Sequence, residues 1–224
     1  MKKSSPQLLQ RKQRLDHIAL DVEFLLISVI QGVALVTLAT SAVGPMTSMQ
    51  IQTWPYIVVA FLFILIFWSG AIIHAVSFID WPIDLVHSFL YFLASIIEII
   101  AITNLTHPLL WFFFVFLFQI VALALYWYDL RMIKQREGNF SGTREGKSLY
   151  RHIHTEQKRE LQQYIPASSL LFLGSFLAIY FAPSVFIQKG YHEILISLQF
   201  IFALAFLFRE VKTFKKRSDL LLQL

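Results

Sequence analysis

The chain has 224 residues, of which 57% are hydrophobic and only 15% charged, and its mean hydropathy is +0.62. Soluble domains carry about 45–50% apolar and about 25% charged residues, so an ordinary soluble domain is excluded and a single membrane domain is indicated. There is no cysteine, which removes disulfides, thiolate metal sites and cysteine nucleophiles; the net charge of +5 comes with no groove-reading motif, so it points to no nucleic-acid partner.

About 20 apolar residues cross the ~30 Å hydrocarbon layer as a helix, the form that satisfies every backbone group within its own segment. Six runs fit: Ile18–Val43, Tyr56–Phe78, Pro82–Thr103, Pro108–Tyr128, Ser168–Ala182 and Glu193–Leu207. The fold class expected is an all-α polytopic bundle of six transmembrane helices. The first run follows a basic segment but is too long for the apolar core of a signal peptide, so it reads as an uncleaved span.

Basic residues fix the expected orientation. Lys2, Lys3, Arg11, Lys12 and Arg14 precede the first span. Arg131, Lys134, Arg136, Arg144, Lys147, Arg151, Lys158 and Arg159 fall between the fourth and fifth, and Arg209, Lys212, Lys215, Lys216 and Arg217 follow the sixth. Only Lys189 falls on the other side, and the positive-inside rule then places both termini in the cytoplasm, with a bacterial inner membrane as the expected location. Residues 130–166 form the one sizeable polar segment. Within it Leu149, Ile153, Leu161 and Ile165 recur among charged residues, which predicts an amphipathic helix lying on the inner surface or against the bundle. His152 and His154 are read as solvated there, and Asp129 as a surface residue.

Ionisable groups inside spans are costly and therefore mark functional candidates. In the third span Asp84, His87, Tyr91, Ser95 and Glu98 recur at steps of three or four, which places them on one helical face. That stripe is the expected ion or proton path; the alternative is a set of interhelical hydrogen bonds with Asp84 capping a helix start. In the first span Asp21, Ser28 and Gly32 share a face, with Gln31 beside it and Glu23 near its start, giving a second polar track. Gln119, Tyr126 and Asp129 make a weaker third. His74 and His87 flank the turn at Asp80 at matching depth, so His74, His87, Asp80 and Asp84 form an alternative metal site suited to zinc or iron, and with it a membrane-embedded metal-binding protein or enzyme. A purely structural or partner-binding subunit is the third alternative. Phosphate-binding glycine loops, nucleophile elbows and metalloprotease motifs are absent, as are a potassium-filter sequence and an arginine ladder, and beyond the alternative metal site the cofactor stays open.

Arg14-Leu15-Asp16, followed by Asp21 and the run Phe24-Leu25-Leu26-Ile27-Ser28, resembles the start of the first helix in the six-helix potassium channel family of lysosomes and bacteria, which opens with an Arg and a Phe-Ser-Asp signature. Tyr56, Trp68 and His74 are similar to that family's second helix, and residues 85–93 to a stretch of its third. The signature stands here as Ala19-Leu20-Asp21, so only the Asp is kept; Trp68 and His74 lie farther apart than in the family, and an Asn of the third helix is missing. The resemblance implies six spans with both ends inside, a pore lined by the first helix, and Arg14, Asp21 and Ser28 near that pore or its supporting network. Potassium selectivity does not carry over with the signature broken. The expected function is thus an oligomeric ion channel or ion-translocating protein. Its expected partners are the lipid bilayer, an inorganic cation or proton, and further copies of itself, because symmetric assembly is the natural way for small bundles to enclose a pore.

Overall fold

The computed structural model describes residues 6–77, 85–139 and 144–221, and every regular element among them is helical. Helices α1 (Pro6–Thr47), α2 (Trp54–Ser77), α3 (Leu85–Thr103), α4 (Pro108–Asn139), α5 (Arg144–Arg159), α6 (Ile165–Phe181) and α7 (His192–Leu221) follow in chain order. They contain six stretches long and apolar enough to cross a membrane: Asp21–Thr47, Ile51–Ile73, Val86–Thr103, Pro108–Gln135, Arg151–Phe181 and His192–Lys215. Only 22% to 33% of each stretch's most apolar window is buried within the chain. The outward remainder is dominated by Leu, Val, Ile and Phe, among them Leu25, Val36, Phe89, Leu170 and Phe181. Water would penalise so much apolar surface, and lipid does not. The chain is a multi-pass integral membrane protein.

Local chemistry sets the breaks between spans. Proline cannot donate to a helical ladder but suits its first turn, and α4 opens on Pro108 directly after the tight turn Asn104–His107. Between α6 and α7 the chain reverses through Gly190 at φ +77, a left-handed conformation open to glycine without a Cβ clash. Pro166 sits just inside α6 and has no N–H for the carbonyl of Gln162. The backbone accommodates it with a π-helical turn over Glu160–Tyr164 rather than a break, so α5 runs on into α6. The candidate span here runs over Arg151–Phe181 by length and composition, so most of α5, where the predicted amphipathic helix falls, is continuous with α6, and α5 packs against α4.

The helices form a ring. α1 packs on α2 and α3, α3 on α4, α4 on α6, and α7 closes the circuit against α2 and, more sparingly, α6. One end carries Arg131, Lys134, Arg151, Lys158, Arg159 and Arg209, and the other carries Lys189; the first is called the basic end below. The interior is divided along its length. Towards the end away from the basic residues it is solidly filled by a cluster including Tyr56, Ile64, Ile102, Trp111, Phe112, Phe172, Ile179 and Ile196. Towards the basic end it is hollow.

Candidate functional site

The hollow half is a cavity of about 190 Å³ to which all seven helices contribute lining. A cavity needs only about 10–15 Å³ of such volume to admit a water. Its walls are mainly apolar, but four carboxyl side chains stand on them: Glu23 from α1, Asp129 from α4, Glu160 from the π-helical turn and Glu210 from α7. No lysine or arginine is among the described lining residues.

Three of these acids are tied to basic side chains behind or beside the wall. His87 Nε2 stands 3.6 Å from Asp129 Oδ1 across the α3–α4 interface. Arg209 Nη2 donates to Glu160 Oε1 at 2.8 Å, and Arg209 Nη1 lies 3.9 Å from Glu210 Oε1. The guanidinium also lies 3.9 Å over the Tyr164 ring and 5.9 Å from the centre of Phe206. Glu160 is the first residue of the π-helical turn and is buried on the cavity wall. Glu23 makes no hydrogen bond or ion pair with a described residue.

Beyond the cavity lies Glu98. Its side chain is 4% exposed, and neither carboxyl oxygen has a hydrogen-bond partner among the described residues. Gln31 is near enough to act on its charge, although it does not reach hydrogen-bond geometry. Gln31 Nε2 instead donates weakly to the Tyr91 hydroxyl at 3.4 Å, while Gln31 Oε1 has no partner. Tyr91 stacks on Phe67 with ring centres 4.8 Å apart and lines the cavity. Glu98 borders a second void of about 10 Å³, room for about one water. Phe63 and Phe118 line both spaces, so these two rings are the partition between the acidic cavity and Glu98.

Past Glu98 the interior is plugged. Trp111 Nε1 donates to Gln199 Oε1 at 3.1 Å, Phe63 stacks on Trp111 at 6.4 Å, and Tyr56 shares a 2.9 Å hydrogen bond with His192 Nδ1. Gln199 Nε2 is left without a hydrogen-bond partner among the described residues.

Of the third-span stripe, His87, Tyr91 and Glu98 face the interior as the periodicity implies. Ser95 is buried too, but its hydroxyl is spent on the Tyr91 carbonyl at 2.9 Å. Asp84 and Asp80 lie outside the described residues, as does the side chain of His74, so the alternative metal set is not assembled by what is described; among the described residues no group of three metal-ligating side chains occurs. The first-span track divides. Gln31 and Glu23 turn inward, whereas Asp21 and Ser28 are exposed on the outer face of α1, away from the cavity. Asp129 is not a surface residue: it is buried on the cavity wall, because α3 brings His87 to it. His152 is half-buried and 3.2 Å from Glu156, so it is not freely solvated either. Sequence reasoning missed Glu160, Arg209 and Glu210. The available signal was that all three fall within apolar stretches and could be matched in charge.

The chain is therefore a helical bundle membrane protein with an interior cavity, bearing four carboxyl groups, in the half towards its basic end. No family model, curated protein or solved structure matches it.

Proposed function

We propose that the protein moves a proton or cation through the membrane, with the acidic cavity as its cytoplasmic vestibule and Glu98 as the acid that carries charge past the aromatic partition. The observation that supports this reading best is Glu98 itself. A deeply buried carboxyl with both oxygens unpartnered is costly in a fold, and intramembrane acids of this kind are retained for transfer of charge. It stands one layer of aromatic rings from a cavity with four carboxyl groups on its wall, of which Glu23 has no basic partner among the described residues. The positive-inside pattern supports a cytoplasmic position for the basic end and hence for the vestibule. In this reading His87 and Tyr91 form the cavity end of the route, and the Trp111–Gln199 and Tyr56–His192 plug must part for charge to leave on the other side. Because the vestibule lies within one chain, a subunit axis is not needed for it. Asp21 and Ser28 would join a path only where copies of the chain pack along α1.

The test is flux from liposomes containing the purified full chain, followed for protons, sodium and potassium in turn. The expected result is flux of at least one of these in the wild type, reduced to the level of protein-free vesicles by Glu98→Gln, which keeps the shape of the side chain and removes its charge. Wild-type vesicles tight to all three ions, or undiminished flux in Glu98→Gln, would sink the reading.

A further inference from the structure

The cavity has a chemistry that a small inorganic ion does not need. A site for a bare cation gathers oxygen ligands and little else. Here the walls are mostly hydrocarbon and aromatic, with Phe67, Phe92, Phe118, Phe202 and Phe206 among them, and the carboxyl groups are spread over four elements rather than gathered about one point. Apolar walls with a few placed charged groups describe a pocket for an organic molecule. The fold already shows how this environment holds an organic cation. Arg209 lies over Tyr164 and near Phe206, with its charge met by Glu160. Phe206 and Glu160 are themselves on the cavity wall, and ring faces attract cations more strongly once water is displaced.

We infer that the cavity binds an aromatic or otherwise apolar monocation, its apolar body against the phenylalanines and its charge at Glu23. Glu23 is assigned this role because the other three acids are each beside a basic group, whereas Glu23 has no described partner. Room for the ligand is provided by small residues on the wall, Gly70, Ala71, Ala122 and Ala203. The inference rests on the same cavity as the proposed transport, but it concerns binding and does not require Glu98.

The experiment is titration calorimetry of the full chain in detergent micelles with phenyltrimethylammonium, and with benzenesulfonate as an anion of similar size. Saturable binding of the cation is expected, at least about tenfold tighter than that of the anion, a difference of about 1.4 kcal/mol. Glu23→Gln should weaken cation binding by about tenfold, Ala122→Phe should abolish it by occupying the space, and Glu98→Gln should leave it unchanged. Each variant is first confirmed to elute as the wild type does on size exclusion. Equal affinity for the two ions, no saturable binding, or an affinity untouched by both Glu23→Gln and Ala122→Phe would overturn the inference. Binding that survives Glu98→Gln while ion flux is absent from the wild type would uphold this inference and remove only the transport reading.

Discussion

Replacing Arg209 with Met tests the clamp between the π-helical turn and α7. Methionine keeps an unbranched apolar stem of similar reach, so the change removes charge and donors with little loss of packing. What it leaves behind is Glu160, almost fully buried, without the guanidinium that donates to it at 2.8 Å. Removing one partner of a buried ion pair costs about 3–5 kcal/mol. The Arg209 side chain keeps 20% of its exposure, and solvent weakens its pairing, which places this variant near the lower bound at about 3 kcal/mol. Loss of the cation over Tyr164 adds about 0.5–1 kcal/mol. The assay is unfolding of the purified protein in mixed micelles as the fraction of denaturing detergent rises, followed by tryptophan fluorescence and far-UV circular dichroism. The double variant Glu160→Gln/Arg209→Met should be more stable than the sum of the two singles, because the second change removes the stranded charge. If each single costs under about 1 kcal/mol and the two simply add, the pair behaves as an exposed one and the clamp does not exist.

Gly190→Ala should destabilise by about 1–2 kcal/mol through its left-handed backbone alone, since a Cβ there meets no atom within 4 Å; an unchanged unfolding transition would refute that. Trp111→Phe removes the donor to Gln199 Oε1, and because Gln199 is fully buried with its Nε2 already unpartnered, a loss of about 1–3 kcal/mol is expected in the same assay. Gly70→Leu should raise stability, by about 0.8 kcal/mol from helix propensity alone, while blocking ion flux and phenyltrimethylammonium binding; flux at the wild-type level would show that the cavity is not on the route.

The spans were legible because lipid imposes one requirement on every outward residue, and composition registers it directly. Glu98 was legible for a related reason. It falls two turns from Tyr91, with His87 and Ser95 on the same face of a mostly apolar helix, and the helical repeat alone joins them. The first span shows where this runs out. Ser28 and Gln31 are three residues apart, close enough on the helix for either to face the interior, and only the positions of α2 and α3 decide that Gln31 turns in and Ser28 out. Glu160 and Arg209 lie forty-nine positions apart, and each reads alone as a charged residue at a helix end. Nothing local announces that α6 and α7 bring them together, nor that Pro166 forces a π-helical turn instead of a break.

The division of the interior also bears on why the cavity exists. If it were dry and rigid, about 190 Å³ of void would cost about 5 kcal/mol at roughly 24 cal/mol per Å³. The chain has the means to avoid that. In the opposite half of the same bundle Trp111, Phe112, Tyr56 and several isoleucines fill the space with few voids. At the basic end the facing positions are instead Gly70, Ala71, Ala122 and Ala203, and at Gly70 no neighbour stands within 4 Å of where a Cβ would go. Close helix packing is the usual reason for a small residue in a membrane bundle, and it does not apply at Gly70. Asp129, Glu160 and Glu210 have basic groups beside them, but Glu23 has no such partner among the described residues, and a dry cavity would leave its carboxyl without hydration. A space that sterics do not require, with the Glu23 carboxyl on its wall, is the space that the proposed cation binding would use.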